Sequence, residues 1–206
     1  MGSEDTAAPG VRRQRLDTTA RREAILAAAL QCYAEAPYAE VSVAEIARAA
    51  QASSALVFHY FGNKATLYAE VVAAAVAELS AAQRRAVAGL AEGAPKRDRV
   101  RASILVYLDH IATHPRTWAA PLLGGEEPPE AVEVRHQARG AYVEALRELL
   151  RPSDWARHEY ALWGYFGFLD QACLHWVKQG CAADDREAIA DACLGALQGA
   201  LGDWGS

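Results

Sequence analysis

The sequence predicts an all-α protein of about nine helices: an N-terminal three-helix helix–turn–helix unit followed by a larger helical body. Three observations carry that expectation. Alanine and leucine abound, and the sequence lacks the alternating β-branched pattern of strands. Breaks fall between periodic stretches, at His114-Pro115, Gly124-Gly125, Pro128-Pro129, Pro152-Ser153-Asp154 and Gly180. Finally, Val41–Lys64, VSVAEIARAAQASSALVFHYFGNK, reads as two short helices joined by a tight turn.

The elements follow in order. A first helix should start near Thr18 or Thr19 and end before Pro37, with Ile25, Ala29 and Tyr33 on one buried face. Ser42-Val43-Ala44-Glu45 is a capping box that opens the second helix, with Val41 and Ile46 at the staple positions. That helix should run to about Ala50. Gln51-Ala52 makes the turn, and Ser53 caps a third helix reaching Phe61. Gly62-Asn63 ends it, since both residues tolerate left-handed backbone angles. A long helix should span Lys64 to Leu90, closed by Gly93 and Pro95. Further helices are expected near 96–113, 116–123, 128–150, 153–179 and 184–202. The expected domains are a mobile arm at 1–16, a head at 17–64 and a body at 65–206.

Composition narrows the function classes. Of 206 residues, 52% are hydrophobic and 23% charged, which suits a globular core rather than a disordered chain. The net charge of −5 announces no nucleic-acid partner for the chain as a whole. Its distribution is more telling. Arg12, Arg13, Arg15, Arg21 and Arg22 cluster against a single acid, Asp17, while the surplus acid lies in 65–206. Cys32, Cys173, Cys181 and Cys193 are widely spaced with no CxxC pair, so free thiols in a reducing, cytoplasmic setting are expected. Met1–Gly10 is polar, so no secretory leader is expected. The longest strongly apolar run, Ala161–Leu169, is too short to span a bilayer, and no membrane partner is expected.

A helix that reads DNA must present one face to base edges and anchor to phosphates beside them. The third helix divides in that way. Val57 and Phe61 face inward, leaving Ser54, Ala55, Phe58 and His59 for the groove. Ala55 or Phe58 suits a thymine methyl and His59 a base or phosphate. Tyr60 and Lys64 offer a hydroxyl and an ammonium to phosphate, as does Ser42 at the second helix's N-terminus. From geometry alone, Phe58, Tyr60 and Phe61 can equally be core residues.

Residues 19–71 resemble the N-terminal DNA-binding domain of the TetR family of transcriptional regulators. The motifs are REAILAAAL (Arg22–Leu30), VSVAEIARAA (Val41–Ala50) and SSALVFHYFGNKATLY (Ser53–Tyr68). The resemblance implies DNA-facing positions at Ser53, Ser54, Ala55, Phe58, His59, Tyr60 and Lys64. It also implies dimeric binding to a double-stranded operator, most often as a repressor released by a small-molecule effector. Three departures stand out: Gln51-Ala52 in place of the usual Gly-Val turn, Phe58 where tyrosine is common, and Pro37-Tyr38 in place of Gly-Tyr.

In the body, the segment 153–179 is apolar nearly all round, so both faces must be covered. One stripe (Gly164, Gly167, Gln171, Leu174, His175), with Ile189, Leu194 and Leu197 of the last helix, is expected to form a homodimer interface as a four-helix bundle. The other stripe, Trp163, Phe166 and Asp170, should face into the subunit. With Tyr107, His110, Trp118 and Tyr142 it should line an effector pocket, although each aromatic can equally be core. His110, His114, Asp109, His175 and Asp170 lack the spacing of a metal site. No phosphate loop, GxSxG elbow or HExxH motif occurs. No metal, cofactor or catalytic residue is therefore expected. The favoured function is a ligand-responsive repressor acting as a homodimer on a palindromic operator. The rival is a helical carrier or enzyme with a vestigial DNA-binding head.

Overall fold

The computed structural model describes residues 18–202; the arm expected at 1–16 lies outside them. The described residues form nine α-helices and three short 3₁₀ turns, with no strand among them. In order they are α1 (Thr18–Glu35), a turn at Tyr38–Glu40, α2 (Val43–Ala49), α3 (Ser54–Phe61), α4 (Lys64–Ala88), α5 (Lys96–Thr113), α6 (Pro115–Ala119), a turn at Pro121–Leu123, α7 (Pro129–Leu150), α8 (Ala156–Lys178), a turn at Ala183–Asp185 and α9 (Arg186–Leu201).

Two apolar cores account for the arrangement. The first gathers Ile25, Ala29 and Tyr33 of α1, Ile46 of α2, and Val57 and Phe61 of α3. It continues into α4 through Leu67, Tyr68, Val71 and Val72, and takes Ala131 from α7. The second joins α5, α7, α8 and α9 through residues such as Ile104, Leu108, Val143, Leu162, Cys173, Leu194 and Leu197. Fully burying a side chain of the Ile or Leu class contributes about 1.5–3 kcal/mol, so each cluster of this size can hold its helices together. Helix α4 belongs to both halves: its first turns complete the head core, and its length packs on α5 and α7.

Several expectations need correction. Asn63 is not left-handed: it is extended, with φ −147°, and its Oδ1 caps α4 by accepting from Thr66 N at 2.8 Å. Gly62 alone takes the positive φ, +75°, that ends α3. The helix expected over 116–123 is split, because Pro121 has no N–H to continue it and starts a separate turn. Helix α8 begins at Ala156 rather than Ser153, since Arg151 turns left-handed and Ser153 is engaged with the His158 ring at 3.0 Å. At the last helix, Ala183–Asp185 forms a turn before α9. Among the described residues one helix, α4, is long and apolar enough to cross a membrane by length and composition. In this fold it packs against α1, α3, α5 and α7, and its Glu70 pairs with Arg22.

Candidate nucleic-acid interface and body network

The head is held by local chemistry. The Ser42 hydroxyl accepts from Glu45 N at 3.2 Å, and the Glu45 carboxylate accepts from Ser42 N at 2.7 Å and from its hydroxyl at 2.8 Å. These bonds also hold the Glu45 carboxyl below its usual range. At the other end of α2, Gln51 adopts φ +52°. Ala52 N then bonds Ala47 O at 2.8 Å and Gln51 N bonds Arg48 O at 3.1 Å. That pair of bonds is a Schellman closure. It satisfies the last carbonyls of α2 and turns the chain sharply into α3, where Ser53 accepts from Leu56 N at 3.1 Å.

This geometry fixes which side of α3 is free. Val57 and Phe61 are buried, while Ser53, Ala55 and His59 are exposed and Ser54 and Tyr60 are half-buried. Phe58 is 46% exposed, so it is not a core residue. Ser42 is also exposed, beside the start of α2. Ala55, Phe58 and His59 therefore share one open face, with small residues at its N-terminal end. The Tyr60 ring meets the His59 ring edge to face at 5.3 Å. Lys64 stands differently from its expected outward pose. Its ammonium donates to Tyr38 O at 2.6 Å and lies 4.1 Å from the Tyr38 ring centroid. Burial lowers its pKa from the usual value. Arg22 is likewise engaged, paired with Glu70 at 2.5 Å and stacked 4.7 Å from the Phe61 ring.

In the body, a polar chain runs through the helices. Tyr107 of α5 donates to Asp170 Oδ1 of α8 at 3.3 Å and accepts from Trp118 Nε1 at 2.9 Å. Arg139 of α7 donates to Asp170 Oδ2 at 2.6 Å and lies 4.9 Å from the Phe166 ring. Tyr142 completes the group, 6.3 Å from Phe166 and bonded to the Ser80 hydroxyl at 2.8 Å. Burial, then the Asp170 charge, pushes the Tyr107 phenol well above its usual range. His110, one turn beyond Tyr107, is held below its usual value first by burial and then by neighbouring His114.

The structure thus brings Tyr107, Trp118, Tyr142, Phe166 and Asp170 together, with His110 beside them. Trp163 is not among them. It lies on the surface, stacked on His136 at 6.2 Å and donating to Glu159 at 3.0 Å. At 3.6 residues per turn it sits only about 20° around the helix from Asp170, two turns nearer the helix start, where the face is open. Arg139 is the residue that sequence reasoning missed. Its signal was present: Arg135, Arg139 and Tyr142 recur at helical spacing on one face of α7.

The expected dimer face also divides. Gly164, Gly167, Gln171 and His175 are exposed along α8, beside exposed Tyr160 and Phe168. A Cβ at Gly164, Gly167, Gly195 or Gly199 would meet nothing within 4 Å, so packing inside this chain does not call for glycine there. Leu174, Leu194 and Leu197 instead lie in the chain's own core, and Ile189 packs against it half-buried. The inward stripe of α9 is Ala190, Cys193, Leu194, Leu197 and Leu201; its open stripe is Ala188, Ala192, Gly195 and Gly199.

Burial raises the Cys173 and Cys193 thiols, the latter to about 11, so both stay protonated near neutral pH.

Residues 25–71 match the model of the bacterial regulatory proteins of the tetR family. The chain is 31% identical over 144 residues to the HTH-type transcriptional regulator BetI of Agrobacterium fabrum, spanning 66% of this chain and 68% of that protein. It is 30% identical over 179 residues to BetI of Rhizobium meliloti, spanning 87% of this chain and 75% of that one. Among solved structures, a tetR-family regulator from Streptomyces coelicolor superposes with a TM-score of 0.72 at 22% identity, covering 90% of this chain and 80% of that one. FadR of Bacillus subtilis, solved in complex with stearoyl-CoA, gives 0.64 at 16% identity over 87% of this chain and 97% of that one.

Proposed function

The chain belongs to the TetR family of transcriptional regulators, and from that premise we propose that it acts as a homodimeric repressor released from a palindromic operator by a small effector. It is a DNA-binding regulator rather than an enzyme. The observation that carries the reading is the open face of α3. Ala55, Phe58 and His59 project from a short helix whose two ends are closed by Ser53 and Gly62. Such a helix enters a major groove as a rigid unit, with Ser42, Ser53, Ser54 and Tyr60 available to phosphates or base edges on either side. Lys64 joins them by leaving the Tyr38 carbonyl for a phosphate, a stronger and charged acceptor.

The division into a head at 17–64 and a body at 65–206 belongs to this proposal, with α4 as the coupling element between the two cores. The effector site is the group of Tyr107, His110, Trp118, Tyr142, Phe166 and Asp170, extended by Arg139. Of these, Tyr107, Trp118, Asp170 and Arg139 bond one another. A ligand that takes over the Asp170 or Tyr107 bonds shifts α5, α7 and α8 against α4, and with it the head. Arg139 favours an effector with a carboxylate or phosphate end beside apolar surface. A structure of this fold holding stearoyl-CoA supports that direction. Effector coupling of about 1–3 kcal/mol loosens an operator 5–150-fold. The exposed faces of α8 and α9 supply the dimer contact, setting two copies of α3 about one DNA turn, roughly 34–36 Å, apart.

Selection of bound duplexes from a random pool, at about physiological salt, tests the DNA reading. The expected outcome is an enriched palindrome with half-sites about one turn apart. A folded, dimeric protein that enriches no sequence, even after refolding free of ligand, would contradict it.

A further inference from the structure

The head enters a polyanion's groove without net charge of its own. Between Thr18 and Lys64, four basic residues (Arg21, Arg22, Arg48 and Lys64) stand against four acids (Glu23, Glu35, Glu40 and Glu45). Residues 65–206 hold 14 basic and 19 acidic side chains. The remaining basic side chains are Arg12, Arg13 and Arg15. One acid, Asp17, separates them from α1, and Glu4 and Asp5 stand on the far side of Pro9 and Gly10. These three arginines lie outside the described residues, and their reach is set by where the chain joins α1.

Cations set against phosphate supply most of the sequence-independent affinity for duplex DNA, which carries one negative charge per about 1.7 Å of its axis. The reading side of α3 offers Ser54, Ala55, Phe58 and His59, none of them a fixed charge. Two of the head's four cations are engaged: Arg22 pairs with Glu70 at 2.5 Å, and Lys64 donates to the Tyr38 carbonyl at 2.6 Å. The fold also places the point where the three arginines are attached. Arg22 lies 4.7 Å from the Phe61 ring, so the first turns of α1 run beside the C-terminal end of α3. Ile25 of α1 and Val57 of α3 share the head core. Helix α1 starts at Thr18, about one turn before Arg22. A chain spans at most about 3.6 Å per residue, which keeps Arg15 within about 11 Å of Thr18 and Arg12 within about 22 Å. The minor groove is about 6 Å wide, so these arginines can reach across the one that adjoins α3's major groove.

We propose that Arg12, Arg13 and Arg15 grip the duplex beside each half-site, in the minor groove adjoining the major groove that α3 enters. This contact rests on the DNA-binding reading above and supplies the electrostatic part of its affinity. All three residues are arginines, the cation best suited to the enhanced negative potential of a narrow minor groove. They touch no base edge in the major groove, so they strengthen binding to operator and unrelated duplex alike. Sequence reading stays with α3.

Fluorescence anisotropy of the full chain on the selected operator, from about 50 to about 300 mM salt, tests the contact. A triple variant carries Arg12→Gln, Arg13→Gln and Arg15→Gln. In a plot of log affinity against log salt its slope should be shallower by about 2.7, because each neutralised phosphate contributes about 0.9. Its affinity at about 100 mM salt should fall at least about tenfold, on operator and unrelated duplex alike. Lysine at the same three positions keeps the charge and should restore the slope. Arg84→Gln with Arg85→Gln, exposed near the body end of α4, removes charge away from the head and should leave the slope as it is. Hydroxyl-radical footprinting should show sugars beside each half-site that the wild type protects and the glutamine variant leaves open. Thermal melting checks that the variant folds; should it not fold, the wild-type footprint decides alone. The contact is overturned by an unchanged slope in the folded glutamine variant, by an equal loss in the Arg84 and Arg85 variant, or by lysines that behave as glutamines. Absence of protection beside the half-sites also overturns it. A folded wild type that binds no duplex overturns the DNA reading as well, whereas operator binding that the glutamine variant shares in full removes this contact alone.

Discussion

Gln51 shows how much a single backbone angle carries. Its φ of +52° lies in the left-handed region, which costs an L-residue about 1–2 kcal/mol relative to its normal conformation. Glycine adopts that angle freely but loses more chain entropy on folding, about 0.5–1 kcal/mol. Gln51→Gly should therefore stabilise the protein by about 0.5–1 kcal/mol, read as a higher urea midpoint at unchanged slope. An unchanged or lower midpoint would mean that the glutamine side chain contributes something that the backbone argument omits. The sequence flagged this position, because the family pattern has glycine where this chain has glutamine. It gave no warning about Lys64. A lysine placed after a helix cap reads as solvated, and only the fold brings the Tyr38 carbonyl and ring beneath it.

At the scale of the element, α3 is the most legible part of the chain. Its caps and its open face follow from residue types at helical spacing, while Phe58, Tyr60 and Phe61 needed the structure to settle between core and surface. Two substitutions probe that open face. Tyr60→Phe keeps the ring against the head core and removes one hydroxyl. It should weaken binding to all duplexes alike by roughly ten- to a hundredfold if that hydroxyl meets a phosphate. His59→Ala should instead relax preference at one base pair, a discrimination of about 1–3 kcal/mol. Fluorescence anisotropy on the selected operator and on single-base variants separates the two. Equal binding by either variant and the wild type would remove that residue from the interface. Helices α8 and α9 were less legible. Both are apolar on more than one side, so periodicity located the stripes without saying which one this chain covers itself.

For the whole molecule, the open stripes of α8 and α9 matter most. Exposed Tyr160 and Phe168 flank glycines that face empty space within the chain. A second copy packed there would need those glycines for close approach. Gly167→Arg should then give a monomer in sedimentation, with helical content unchanged because the new Cβ meets nothing within 4 Å beyond its own helix backbone and chain neighbours. It should also cost most of the operator affinity, since a single head grips one half-site. A variant that stays dimeric would move the interface elsewhere. Leu194 and Leu197 are unsuitable for this test, because both are core residues whose loss would unfold the body.

The sequence by itself determined most of the helices, the N-caps of α2 and α3, the turn between them and the family, because these depend on residues within a few positions of one another. Backbone donors and acceptors close locally, and a 3.6-residue period is visible in any window of that length. Tertiary structure decided which of two apolar stripes is buried, that Trp163 faces outward, that Arg139 reaches Asp170, and that three tyrosines of the head core meet carboxylates from a distant segment. Each of those facts depends on how helices far apart in sequence cross one another. That crossing is set by the packing of complete cores, which no local pattern encodes.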